Sequence, residues 1–561
     1  MKRAIPRRGA IAATVIGLMA TVIGLGPAAS GAATASASAP SAIRPVVGCG
    51  RLPSTLNIPG ARTHLVSTVE VGASGTQPAY CDVHATVEPA VNFELKLPIA
   101  TYTGSYVQEG CQGYCGAVFS PDIPQCGGPN GGDMAVAATD DGHAAAAPNP
   151  FFGLFDASWA ANNQGARDDF LYRAPHVVSL AAKQYIADYY GHRPLHSYFN
   201  GCSTGGREGL LLAQRYPRDF DGIVVGSSAA LMDPLFGVYF AWAARANIAP
   251  DGSPILTSAK LPPLHAAVMA ACDGLDGVLD AQIEDPRACH FDPAILGCPA
   301  GIDQPTCLTP AQVTAARKLY AGPSDEHGRR LYPGGEPYGS ELVWDTYLNP
   351  LPVINESAAA ELGDNYLKYL AYPIGTPGSS VANAQFTKQF LDSLTPDGVP
   401  GNAMSLDLSA FRRAGGKLII WHGWADQSIP PTGSVDYYQR LAAANGGIRE
   451  TGQWARLFMV PAEYHCAMGG YTLNEFNPLP ALIDWVEHGT APSRILADQR
   501  DTQGTIVRTH PVFPYPAVAR YTGSGSIDDA ANFVPAPPLV QPRITHWAGE
   551  YLYNLPGPTA H

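Results

Sequence analysis

Ser197-Tyr198-Phe199-Asn200-Gly201-Cys202-Ser203-Thr204-Gly205-Gly206-Arg207-Glu208-Gly209 decides how the rest of this chain is read. A short apolar segment, 195–199, leads into a glycine-rich turn, and a helical pattern follows near 207–216. The turn, Gly201-Cys202-Ser203-Thr204-Gly205, has the form G-x-S-x-G. Between a strand and a helix this spacing has a mechanical sense. A sharp turn lifts the serine oxygen above a sheet, and the small flanking residues let strand and helix approach closely. The next amide, that of Thr204, then sits at a helix N-terminus, where it can stabilise a developing oxyanion.

Around this turn the sequence has an α/β rhythm. A helix is predicted at 175–190, with Pro175 in its first turn and Val178, Ala181, Ala182, Tyr185 and Ile186 on one face. Gly222-Ile223-Val224-Val225-Gly226, Lys417-Leu418-Ile419-Ile420-Trp421 and Arg456-Leu457-Phe458-Met459-Val460 read as buried strands of a parallel sheet covered on both faces. Residues 40–175 read as short strands and turns, among them Thr68–Val71 and Val91–Leu97. Residues 229–413 show no such alternation and read as an insertion, a lid over the C-terminal edge of the sheet.

A serine nucleophile needs a base and an acid to orient it, and in this fold class they follow in the order Ser, Asp or Glu, His, each at a strand end. Asp426 follows the strand 417–421 and His465 follows the strand 456–460, so order and placement are both met. Asp436 and Glu463 compete for the acid, but Asp436 sits in a helical stretch. His422 competes for the base but comes too soon after its strand to reach over the turn. Cys202 precedes Ser203 and Cys466 follows His465. If base and nucleophile touch, those cysteines are brought near the Cα separation of about 5–6 Å that a disulfide requires.

The first residues carry Lys2, Arg3, Arg7 and Arg8, then an apolar run (11–26) and the small-residue stretch 28–39. This is the order of a cleavable secretory signal, and 1–39 is assigned to it. The run of about 16 residues is shorter than the roughly 20 of a membrane span. All 11 cysteines lie beyond it, in a chain expected to meet an oxidising compartment. Their spacing lacks the paired C-x-x-C halves of a zinc site, so disulfides are expected; the odd number leaves at least one over. The net charge of −13, more acidic still without the signal, excludes a nucleic-acid backbone as main ligand. With 46% hydrophobic residues the chain can bury a large core.

These residues together resemble the tannase and feruloyl esterase family. Its Cys-Ser, Asp, His-Cys arrangement is matched by Cys202-Ser203, Asp426 and His465-Cys466, and the likeness extends through Asp168-Asp169-Phe170-Leu171-Tyr172-Arg173-Ala174-Pro175-His176, the nucleophile stretch and His422-Gly423-Trp424-Ala425-Asp426. The resemblance implies an α/β-hydrolase fold with a large inserted lid domain: 40–228 and 414–561 form the catalytic domain and 229–413 the lid. It also implies a secreted esterase splitting carboxylic esters of phenolic acids. Feruloyl (hydroxycinnamoyl) esters, free or on plant polysaccharide, come first; galloyl esters and terephthalate-type monoesters are the alternatives. A catalytically silent binding protein on a hydrolase scaffold is the non-enzyme alternative.

Two places depart from the family. Its Gly-Asn-Gly-Gly oxyanion loop is here Gly110-Cys111-Gln112-Gly113-Tyr114-Cys115-Gly116. Gln112 aligns with the second oxyanion amide, and Gly113 is the fallback. A cysteine pair near the C-terminus is replaced by Phe513 and Val534. The resemblance further implies a structural Ca²⁺ in the lid loop Cys272-Asp273-Gly274-Leu275-Asp276-Gly277-Val278-Leu279-Asp280-Ala281-Gln282. Carboxylates would come from Asp273, Asp276 and Asp280 and backbone carbonyls from Val278 and Gln282, with Cys272–Cys289 and Cys298–Cys307 bracing the loop. Calcium favours such oxygen donors, and glycines permit the tight winding. Cys49–Cys81 is expected as a further pair; Cys111, Cys115 and Cys126 are left unassigned. Tyr332, Tyr338, Trp344 and Tyr347 are candidate substrate contacts in the lid.

Overall fold

A computed structural model describes residues 41–120, 132–145, 153–351, 356–467 and 470–555. The predicted signal and Cys126 lie outside the described residues. Ten strands form one mixed sheet: β1 (Thr55–Leu56), β2 (Thr63–Val71), β3 (Tyr80–Val87), β4 (Val91–Pro98), β5 (Ser105–Glu109), β6 (Ala135–Thr139), β7 (His196–Cys202), β8 (Gly222–Gly226), β9 (Lys417–Gly423) and β10 (Ala455–Val460). Their spatial order is β1-β2-β3-β4-β6-β5-β7-β8-β9-β10. From β6 to β10 the pairing is parallel, as the buried runs predict, whereas β1 to β4 add an antiparallel extension joined through β4 and β6. The strands of residues 40–175 thus belong to the same sheet as the nucleophile turn.

Alternation along the parallel strands divides the apolar side chains between two cores. Phe199, Ile223, Val225, Leu418, Ile420 and Leu457 face one; Tyr198, Val224, Ile419, Trp421 and Phe458 face the other. The helices Ala174–Tyr190 and Thr204–Arg215 bury apolar residues in the first core, and Leu479–His488 places Leu482 and Trp485 in the second. The predicted face of the long helix is buried throughout, and Gly191, at φ 83°, ends it in the left-handed conformation.

Between β8 and β9 the described residues are helices, short 3₁₀ turns and loops, with no strand in the main sheet. Leu235, Leu264, Tyr366 and Leu391 from this region enter the same core as the sheet. Trp344, Tyr332 and Tyr347 are buried there too, and Trp344 spends its Nε1–H on Ser340 Oγ at 2.9 Å. As a substrate contact Trp344 is therefore corrected to a core residue: its ring is enclosed and its one polar atom is engaged. Toward the C-terminus, Phe513 packs with Ala519 and Phe533, whereas Val534 is exposed.

Candidate active site

Strand β7 ends at Cys202, and the next helix starts at Thr204, leaving Ser203 alone to make the turn. Its backbone sits at φ 62°, ψ −120°, a conformation that costs a non-glycine residue roughly 1–3 kcal/mol. The Ser203 amide donates to Gly226 O at 3.0 Å, and its carbonyl accepts from Arg207 and Ala229. The small residues are required by contact. A Cβ on Gly201 would lie 2.3 Å from Gly205 O, and one on Gly205 would lie 3.0 Å from the Gly110 and Cys111 backbone.

The predicted acid and base meet. Asp426 Oδ2 accepts from His465 Nδ1 at 2.8 Å, while Oδ1 accepts the amides of Ser428 and Ile429, each at 2.8 Å. Asp426 is fully buried. Burial works to raise its carboxyl, but the charge of His465 and the hydrogen bonds of His422 and His465 hold it well below the usual carboxylate range. Neither competing acid takes this place. Asp436 is bound to Arg440 at 3.0 Å, and Glu463 is buried with neither carboxyl oxygen bonded among the described residues.

A Cys202–Cys466 disulfide, with Cα atoms 5.8 Å apart, joins the serine turn to the His465 loop. His465 Nε2 faces that bridge, 3.5 Å from Cys466 Sγ. The expected Cys49–Cys81, Cys272–Cys289 and Cys298–Cys307 bonds are present, and Cys111 pairs with Cys115. The loop containing that last bond lies against the start of the helix Thr204–Arg215. Among the described residues the amides of Thr204, Gln112 and Gly113 donate to no protein acceptor.

His422 has a role that its position in the sequence did not reveal. It is fully buried, its Nδ1 lies 2.8 Å from Ser434 Oγ, and its Nε2 lies 2.9 Å from Ile429 O and 3.0 Å from Asp426 Oδ2. The ring thus meets the same Asp426 oxygen as His465 and helps hold that carboxylate in place. The only signal for it is the four-residue spacing to Asp426 across a strand end.

In the loop 272–282, Asp273 Oδ1 accepts the amides of Asp280 and Gln282 and its Oδ2 that of Ala281, each at 3.2 Å. Burial, then the charges of Asp280 and Glu284, push the Asp276 carboxyl up to about 7. Burial pushes Asp280 up to about 6, against nearby His510 and Arg508. Gln282 Oε1 is buried and unpartnered among the described residues. Oxygen-only donors and an orphaned amide oxygen are the donor chemistry of a hard cation, but among the described residues Asp273, Asp276 and Asp280 do not bring one oxygen each within 4.8 Å of one another, so the loop has the ligand types without a closed shell.

A sheet that is parallel from β6 to β10, with helices on both faces and the bonded Asp426–His465 pair on the turns after β9 and β10, is that of an α/β-hydrolase. Residues 74–536 match the family model of tannase and feruloyl esterase, and the chain belongs to that family of carboxylic ester hydrolases. It is 32% identical over 543 residues to mono(2-hydroxyethyl) terephthalate hydrolase of Piscinibacter sakaiensis, covering 82% of this chain and 85% of the other. It is also 32% identical over 398 residues to a probable feruloyl esterase of Arthroderma benhamiae, covering 67% and 71% of the two chains. The crystal structure of feruloyl esterase B from Aspergillus oryzae superposes with a TM-score of 0.72 at 26% identity, over 86% of this chain and 98% of that one. No described helix is long and apolar enough to cross a membrane.

Proposed function

We propose that this protein is a secreted serine esterase acting on carboxylic esters of phenolic acids, feruloyl esters first. The observation carrying this reading is the buried Asp426–His465 pair, joined to the strained Ser203 turn by the Cys202–Cys466 bond. Ser203 Oγ attacks the ester carbonyl while His465 Nε2 takes its proton. Asp426 keeps the imidazole proton on Nδ1 and stabilises the imidazolium that forms. The amides of Thr204 and Gln112, with Gly113 as the alternative to Gln112, hold the oxyanion. His465 then gives its proton to the departing alkoxide, leaving an acyl-enzyme on Ser203. Water, deprotonated by the same imidazole, hydrolyses it. The test is a panel of methyl ferulate, methyl gallate and a terephthalate monoester. Fastest turnover of methyl ferulate supports the reading; preference for either of the others reassigns the substrate, and no turnover of any ester overturns it.

Pinning base to nucleophile has a measurable consequence. The Cys202–Cys466 bond spans 264 residues, for which the chain-entropy model gives about 4–5 kcal/mol as an upper figure. Misplacement of reacting groups by about 1 Å can cost on the order of a hundredfold in rate. Cys202→Ala with Cys466→Ala is expected to lose about a hundredfold in kcat even well below its melting temperature. Wild-type kcat in the folded double variant would show that the bond braces only the fold.

Calcium is proposed to have a structural role, held by the carboxylates of Asp273, Asp276 and Asp280 and the carbonyls of Val278 and Gln282. Triad chemistry needs no metal. A ligand at 100 times its Kd stabilises the folded state by about 2.7 kcal/mol. Chelation is therefore expected to lower Tm by several degrees while sparing the initial rate of still-folded enzyme, and Asp276→Asn to mimic it. Chelator-free protein devoid of calcium would refute the assignment.

A further inference from the structure

Loop 110–116 is tied down more firmly than a surface loop would need. Gly205 N–H donates to Cys111 O at 2.9 Å, Thr204 Oγ to Gly113 O at 2.6 Å, and Cys111 N–H to Glu208 Oε2 at 3.2 Å. Inside the loop, Cys115 N–H donates to Gln112 O at 2.8 Å, and the Cys111–Cys115 bond closes the ring.

Peptide planarity makes these bonds directional. In a trans peptide the C=O of one residue and the N–H of the next point opposite ways. The Gly205 bond to Cys111 O therefore sets where Gln112 N–H points. The Cys115 bond to Gln112 O sets the direction of Gly113 N–H in the same way. Among the described residues neither amide has an acceptor, while the carbonyls sharing their peptide planes are fixed.

Beneath the loop lies a buried set of groups that the proposed chemistry does not use. Glu208 is 2% exposed, and Asp141 and Arg207 are fully buried. Glu208 Oε1 lies 2.9 Å from Cys111 Sγ, and Asp141 Oδ2 lies 3.4 Å from Cys115 Sγ. Burial, then the charge of Glu208, push the Asp141 carboxyl well above its ordinary range, so it keeps a proton to share with Glu208. The charge of Arg207 works against the rise of the Glu208 carboxyl, while its guanidinium donates to Phe170 O and Leu171 O, each at 2.9 Å.

We propose that Glu208 and the Cys111–Cys115 bridge are positioning groups that hold the Gln112 and Gly113 amides in register with that of Thr204. The inference rests on the reading of Ser203 as nucleophile. Oxyanion donors act through preorganisation, and loss of one costs about 10²–10³ in kcat. Loosening the loop that carries a donor should cost less than deleting the donor.

The test compares C111S/C115S and Glu208→Gln with C49S/C81S, a pair remote from this loop. The readouts are kcat and KM on the ester turned over, Tm, and affinity for phenylboronic acid, whose adduct on Ser203 places an oxygen where the oxyanion forms. C111S/C115S should lose about 10–100-fold in kcat with KM within threefold, and boronate affinity should fall with kcat. Glu208→Gln keeps an acceptor for the Cys111 amide and should retain more activity than Glu208→Ala. C49S/C81S should lower Tm alone. Unchanged kcat in folded C111S/C115S, or a loss of kcat without loss of boronate affinity, overturns the proposal. If C111S/C115S does not fold, the same two readouts on Glu208→Ala decide. Free thiols at Cys111 and Cys115 in active enzyme would also overturn it, and one equivalent of zinc there would reassign the four groups as metal ligands. An active Ser203→Ala protein would instead remove the reading on which the proposal rests.

Discussion

Ser203→Ala is expected to lower kcat on methyl ferulate by on the order of 10⁴–10⁶, with the fold intact. The hydroxyl makes no hydrogen bond to a protein partner among the described residues, so its loss leaves no buried group unpaired. Alanine meets the same φ of 62° as serine, and the backbone strain is unchanged. Ser203→Gly should lose as much activity but gain stability, because glycine adopts this conformation without the Cβ clash. Lower activity with equal or higher Tm would mark a strained residue kept for chemistry. Activity within tenfold of wild type in purified Ser203→Ala would end the serine-esterase reading.

What could be read from the sequence was local or tied to strand ends. The apolar runs at 222–226, 417–421 and 456–460 mark strands because buried parallel strands need both faces apolar, and Asp426 and His465 follow from where two of those runs stop. Cys202 and Cys466 could be paired because each adjoins a residue already placed. Other features depend on contacts between distant segments. That β1 to β4 extend the main sheet is set by the pairing of β4 with β6, for which short alternating strands carry no signal. Trp344 in a lid reads equally as pocket wall or core, and only its enclosure decides. Glu208 was part of the quoted motif, but Asp141 and Cys111 come from other segments, so the buried cluster appears only when the chain is folded. His422 looked like an inferior base; three-dimensional packing makes it a support for the acid instead.

Asp426→Asn is the second large effect, and the hydrogen bonds around the carboxylate explain its size. Oδ1 accepts two backbone amides, from Ser428 and Ile429, and only an oxygen can occupy that position. An asparagine must therefore place its oxygen there and turn its NH₂ toward His465 Nδ1 and His422 Nε2. Facing a donor, His465 Nδ1 has to become an acceptor, which moves the ring proton to Nε2. The nitrogen meant to take the Ser203 proton then already carries one. A wrong tautomer of this kind costs about 10⁴ in kcat, with little change expected in KM. His422 meets the same NH₂ but keeps Ile429 O, 2.9 Å from its Nε2, as an acceptor; because it is not the group proposed to take the Ser203 proton, His422→Gln should leave more activity than His465→Gln. Stability follows the charge as well. A carboxyl held below its ordinary value stabilises the fold above that value, about 3.9, and the contribution is lost only as pH falls through the lower folded value. At neutral pH the wild type has this contribution in full and Asp426→Asn lacks it, so the variant should melt lower at pH 7 and the gap should narrow, without closing, toward pH 3. Wild-type kcat in Asp426→Asn would mean that another group orients His465, and an equal Tm gap at both pH values would remove the charge argument.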